Sequence, residues 1–315
     1  MRLLGTLADL WRAGSRLSAL ARDVEELRLA IGRQESRRVR AARFDRFQDA
    51  EFKVFSQWGE DGLIQYLIGR VPIETPTFVE LGVQDYSESN TRFLLCNDAW
   101  GGLILDAGTD HLRFVADRGL DWRYDLRARS AFVTRENVNE IISDAGFRGD
   151  VGLLSIDIDG NDYWILDAIR IISPRILVVE YQSTFGPDHA ITVPYRSDFR
   201  RERAHASHLY YGASLRAICD LAAHKGYVFV GCNSAGANAF FVRKDVAGGV
   251  RALDPASGYV ASRFCESRGV DGRLTFVSDH RERLRLVAAM PVVEVPSGRE
   301  RTVAEVFDLH ETDGG

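Results

Sequence analysis

Asp157 and Asp159 follow the apolar run 151–156, and Glu180 follows the apolar run 175–179. Short apolar runs bounded by polar turns read as buried parallel strands. Side chains at the carboxyl ends of neighbouring strands, about 4.8 Å apart, meet in one crevice. In an extended chain Asp157 and Asp159 share a face, with Ile156 and Ile158 on the other. A carboxylate so placed is a candidate general base, and Asp157, Asp159 and Glu180 together are oxygen ligands of the kind that hold Mg²⁺. The helix expected over residues 161–169 needs only one cap, so a pair of aspartates ahead of it leaves at least one for chemistry.

Upstream, residues 78–91 read FVELGVQDYSESNT, a strand, a tight turn and the entry to a helix. A pyrophosphate site needs glycines at fixed offsets, and only Gly82 is present. One glycine beside Glu80 suits a ligand with no phosphate and a cationic end, such as S-adenosylmethionine. The run 102–105 ends at Asp106, at the interval where a nucleotide-binding α/β unit sets an acid against ribose hydroxyls. A further apolar run at 131–134 and a hairpin, 226–230 and 239–242 about a turn at 233–236, complete the pattern. Runs separated by helical sequence predict a mostly parallel sheet covered on both faces and closed by the hairpin.

These elements resemble the Rossmann-like class I S-adenosylmethionine-dependent methyltransferase fold, a seven-stranded, mostly parallel sheet with a terminal antiparallel hairpin. The ordered set SQWGEDG at 56–62, ELG at 80–82 with Asn90 and Thr91, SIDIDGNDYW at 155–164, VEY at 179–181 and YYGASL at 210–215 looks like the FkbM-type branch, over roughly residues 55–245. The resemblance implies methyl transfer to an oxygen, commonly a sugar, glycan or natural-product hydroxyl. Cofactor contacts are then expected from Glu80, Gly82, Asn90, Thr91 and Asp106. Gln57 and Asp61 would close over the methionine end, although Asp61 is equally placed to cap the helix that follows. Trp58 and Trp164 are candidate pocket walls.

An alcohol is a poor nucleophile, so the acceptor needs a base, a metal, or both. Some O-methyltransferases of this fold bind a metal through acids after the fourth and fifth strands. Here Tyr181 and Gln182 follow Glu180, so a second acid after the fifth strand is missing. His189 and His208 stand in loops at the same edge and are candidate bases. His111, His205 and His224 sit in charged helical context and read as surface.

The leading segment carries Leu3, Leu10, Leu17, Val24 and Ile31 at sevenfold spacing, with Ala13, Leu20 and Leu27 between them. That is a coiled-coil seam, and it predicts a homo-oligomer; a helix packed on its own catalytic domain is the other solution. Arg33, Arg37, Arg38, Arg40, Arg43 and Arg46 follow, a solvated face or a docking site for an anionic glycan or membrane. The domains expected are a helix and basic linker over 1–46, a methyltransferase domain over 47–245 and a C-terminal appendage over 246–315, ending in frayed residues 311–315. Within the appendage, 291–295 and 302–306 read as two short strands, or a strand and a helix, around a turn at 296–298.

The 315 residues are 45% hydrophobic with a net charge of -5, which supplies a core and no basic face for nucleic acid. Cys96, Cys219, Cys232 and Cys265 form no paired motif, so reduced thiols and a cytoplasmic enzyme are expected. No apolar run reaches the ~18 residues of a membrane span, and no secretory segment is evident. A catalytically silent scaffold has no physical need for acids at every strand end. A metal-dependent glycosyltransferase would need a diphosphate site, and no glycine-rich loop or basic cluster adjoins the acids.

Overall fold

Ten strands are β1 (Thr77–Leu81), β2 (Gly101–Asp106), β3 (Leu126–Ser130), β4 (Gly149–Ile156), β5 (Ile172–Glu180), β6 (Ile191–Thr192), β7 (Tyr227–Cys232), β8 (Asn238–Arg243), β9 (Pro291–Glu294) and β10 (Arg299–Thr302). The structure, a computed structural model, describes residues 2–264 and 266–309, without the side chains of residues 2–15 and 18. Residues 311–315, Cys265 and the side chains of Leu3, Leu10 and Ala13 therefore lie outside the described residues. The main sheet runs β3-β2-β1-β4-β5-β8-β7. β1 to β5 pair in parallel, and β8 runs antiparallel to both β5 and β7. The Rossmann-like methyltransferase fold is thus the one adopted. Its strand order reverses between β1 and β4, which opens a crevice at their carboxyl ends.

Alternation along the strands fills both layers. Val79, Leu81, Leu103, Leu105, Leu154 and Ile156 pack on one side of the sheet, and Phe78, Ile104, Leu153 and Ile176 on the other, all 0% exposed. Burying each such side chain contributes about 1.5–3 kcal/mol, which pins the strand ends that carry the acids.

The third strand differs from expectation. β3 is Leu126–Ser130, and residues 131–134 follow it without regular structure. LRARS forms a sheet edge with half-exposed side chains, so it lacks an apolar run, whereas Ala131, Phe132 and Val133 owe their apolar character to the crevice they border. His111 also departs from its surface assignment: it is 0% exposed, with Nε2 3.0 Å from the Arg129 carbonyl.

Among the helices, α1 (Arg2–Ala41) leads into α2 (Glu60–Ile68), and α3 (Arg92–Asp98) and α4 (Asp110–Arg118) follow β1 and β2. In the C-terminal segment β9 pairs with both β10 and β6 in a separate three-stranded sheet, and residues 303–306 are helical with a capping box from Thr302 and Glu305. Val292, Val303, Leu284 and Val287 share one apolar cluster with Phe185, Ile191, Tyr210 and Tyr211. The appendage is therefore packed into the loops that follow β5.

Candidate functional site

The turn after β1 is set by Gly82. Its φ is +84°, and a Cβ would lie 1.6 Å from the Asp157 carbonyl oxygen, so only glycine lets the β1 and β4 turns meet. Glu80 is 3% exposed. It accepts from Ser89 Oγ at 2.7 Å, Asn90 N at 2.8 Å and Thr91 N at 3.2 Å, and also from Thr91 Oγ1. Burial raises its pKa against those hydrogen bonds. Glu80 thus organises the loop leading to α3. Asn90 continues the tie to β4, donating to Ser155 Oγ at 3.0 Å.

Asp106, at the end of β2, accepts from Gln84 N and Gly108 N, each at 2.8 Å. These bonds aim the carboxylate and leave further lone pairs on both oxygens. The crevice beside it, counted together with the open solvent at its mouth, spans about 1070 Å³ of non-protein space. Of the candidate residues, Gln57, Glu80, Gly82, Asn90, Asp106, Asp157 and Asp159 line it. Glu60 and Glu88 also line it, and none of the lining residues is Lys, Arg or His. Phe132, Ile158 and Phe199 supply apolar wall.

Asp61, Thr91, Glu180, His189 and His208 are not among the lining residues. Asp61 faces the preceding loop, where Oδ2 accepts from the backbone N–H groups of Val54, Phe55 and Ser56 at 2.7, 2.7 and 2.9 Å. Burial, opposed by those bonds, pushes its pKa up to about 6. Its neighbour Glu60 takes the crevice position. Glu60 accepts from Asn233 Nδ2 at 2.6 Å, Asn238 Nδ2 at 3.1 Å and Trp58 N at 2.8 Å. Sequence reasoning placed Glu60 in this turn with Gln57 and Asp61 but selected Asp61, and it passed over Asn238; the helical register that selects Glu60 begins at Gly59, whose φ is +104°. Asn161 and Asn238 each line the crevice and keep a buried Oδ1 without a hydrogen-bond partner.

At the ends of β4 and β5, Asp157 and Glu180 are neighbouring acids, and Glu180 keeps a buried Oε2 without a hydrogen-bond partner. Burial and mutual repulsion hold both well above the usual carboxylate range. Asp159, with φ +55°, pairs with Arg201 Nη1 at 3.0 Å. Arg201 also reaches Glu266 at 3.4 Å and lies 4.2 Å from the Tyr211 ring centre. The expected trio of metal ligands is therefore not assembled: Asp157 and Glu180 repel one another in a buried setting, and Asp159 is matched by a guanidinium. Among the described residues no group of three or more His, Cys, Asp or Glu side chains is arranged to hold a metal ion. Asp157 does not cap the helix Asp162–Ala168, whose N-cap residue is Asn161; Asp162 instead accepts from the preceding loop, from Ile158 N and Gly160 N, both at 2.9 Å.

The candidate histidine bases sit elsewhere. His189 is exposed and packs edge-on against Phe307 at 5.1 Å. His208 lies 4.0 Å from Glu266, behind Arg201, which donates to the His208 carbonyl at 2.8 Å. Trp58 is 38% exposed, with its ring 6.2 Å from Phe264, whereas Trp164 Nε1 donates to the Val193 carbonyl at 2.9 Å. Trp164 is thereby a structural anchor.

No family model matches the chain, and no curated protein matches it. Among solved structures it is similar to the N-terminal domain of EvdMO1 with S-adenosylhomocysteine bound, at 12% identity and TM-score 0.40, covering 70% of this chain and 97% of that one. It is similar to an S-adenosylmethionine-dependent methyltransferase from Clostridium acetobutylicum at 10% identity and TM-score 0.33, covering 54% and 85%. NcsB1, an O-methyltransferase from neocarzinostatin biosynthesis, gives 14% identity and TM-score 0.33, covering 54% and 49%. This chain spans only 49–56% of several of these proteins, NcsB1 among them. The fold assignment stands on the strand order of this chain itself.

Proposed function

We propose that the chain is an S-adenosylmethionine-dependent methyltransferase of the FkbM type that methylates a hydroxyl of a sugar, glycan or natural product. The observation that carries this reading is the charge of the crevice. It sits at the switch point and is lined by Glu60, Glu80, Glu88, Asp106, Asp157 and Asp159, of which Glu88 is paired with Lys53 and Asp159 with Arg201, and among the described lining residues none is Lys, Arg or His. A sulfonium with an α-ammonium group suits that wall, and a nucleotide diphosphate does not, which disfavours the glycosyltransferase alternative. The site fits the cofactor on this chain's own terms. Asp106 is oriented for ribose hydroxyls, and the unpartnered Oδ1 atoms of Asn161 and Asn238 await donors.

The cofactor supplies an electrophilic methyl group. The protein's task is to hold an acceptor oxygen in line with it and to take the hydroxyl proton. In this reading Asp157, its pKa raised by burial and the neighbouring Glu180, takes that proton, and the methyl–oxygen bond forms as the methyl–sulfur bond breaks. Magnesium is not part of this reading, because Asp159 is engaged by Arg201. Calorimetric titration with S-adenosylmethionine, with and without Mg²⁺, is the test: saturable binding independent of Mg²⁺ supports the reading, and no binding refutes it. A catalytically silent scaffold would bind cofactor and leave every hydroxyl acceptor unmethylated by mass spectrometry.

A further inference from the structure

α1 presents two faces with different partners. Glu25, Leu29, Gly32, Ser36 and Val39 meet the rest of the chain. Glu25 pairs with Arg92 at 2.6 Å, Ser36 donates to Gln65 Oε1 at 2.5 Å, and a Cβ on Gly32 would lie 2.4 Å from Val54. Around the helix by roughly 120°, at about 100° per residue, runs the other face. There Leu17, Leu20, Val24, Leu27 and Ile31 are 68, 59, 46, 63 and 63% exposed. Before residue 25 α1 has left the catalytic body: residues 16, 17 and 20–24 are exposed around the whole circumference.

We infer that this stripe is the interface of a parallel, two-stranded coiled coil with a second copy of the chain. The spacing 17-20-24-27-31 is a strict alternation of three and four, the seam a like helix fits, whereas docking on a globular surface uses a wider stripe. The residue types select the geometry. Val24 and Ile31 are β-branched at one core position while Leu20 and Leu27 occupy the other, the combination that favours two parallel strands. Parallel register sets Asp23 of one copy beside Arg28 of the other, a complementary flanking pair. A membrane surface fits less well. Between residues 16 and 31, Arg16, Arg22 and Arg28 are balanced by Asp23, Glu25 and Glu26, which removes the attraction to anionic lipid. The domain-facing side of α1 lies away from the seam, so two catalytic bodies can flank it without collision.

Light scattering on the full chain should give about twice the chain mass of 35.3 kDa. A Leu20→Asp, Leu27→Asp double variant should run as a monomer with an unchanged thermal unfolding curve, since both side chains are exposed and support no core. Leu20→Cys under oxidation should cross-link to itself, with the unsubstituted chain as control, because parallel register brings identical positions together. A monomeric full chain, or a dimer that survives the double substitution, overturns the inference. A dimer lacking the Leu20→Cys cross-link overturns the parallel arrangement. Sedimentation of a monomer with phosphatidylserine–phosphatidylcholine vesicles would assign the stripe to a membrane instead.

Discussion

In the proposed reaction Asp106 and Asp157 divide the two tasks of the site between them. Asp106 has its orientation fixed by two backbone N–H groups, so Asp106→Ala should strand a ribose donor. A loss of about 1–3 kcal/mol, roughly 5–150-fold in Kd by calorimetry, is expected. Asp157→Asn should leave that Kd nearly unchanged and lower kcat by about 10²-fold or more, because the loss falls on proton transfer. The pH profile carries the sign. Asp157 and Glu180 have raised pKa values, and the pair accepts a proton only while it still has a vacant site. Activity should therefore fall as pH drops through a value above the ~4.3 of an ordinary carboxylate, and rise with pH on that limb. In Asp157→Asn the residual activity should show that limb at lower pH, since Glu180 loses its charged neighbour and keeps its burial. Strand-end acids such as these were legible because burial forces apolar runs to stop where chemistry begins. The choice of Glu60 over Asp61, and Asn238 altogether, were not, because the meeting of positions 60 and 238 comes from tertiary packing that no local pattern records.

At the scale of elements, the turn after β1 and the turn after β4 are one structure. Gly82→Ala would drive a methyl group into the Asp157 carbonyl at a positive φ, so strain of at least about 1–3 kcal/mol is expected. Thermal denaturation should show a lowered Tm, and cofactor affinity should fall with it, since the same turn borders the crevice. The glycine was readable as the marker of a tight turn; the carbonyl it avoids was not. Elements buried on both faces, β1, β2, β4 and β5, announced themselves as continuous apolar runs. The edge strand β3 did not, since half of its side chains meet solvent, and the apolar residues just beyond it drew the strand assignment instead. α1 offered a heptad seam and a self-packing face as alternatives, and the described helix has room for both because they lie on different sides.

Across the whole molecule, the C-terminal segment was the least legible part. Its strands are short, and its core partners lie in the 185–211 loops, far away in sequence. Tyr181 and Tyr259 donate across the junction, to the Val260 carbonyl and, at 2.8 Å, to the Ser183 carbonyl. Truncation after Asp245 should therefore expose Phe185, Ile191 and Tyr211 and give a chain that binds a hydrophobic dye and loses near-UV circular dichroism. The acid-lined crevice has a consequence for turnover. Donation of the methyl group converts a positively charged sulfonium into a neutral thioether, so in the proposed reaction the ligand's net charge changes while the wall's does not. Electrostatics then favours the fresh cofactor over the spent one and helps the product leave. The ratio of the two dissociation constants, measured by calorimetry, should be largest at low ionic strength and shrink as salt approaches about 1 M, where the Debye length falls to about 3 Å.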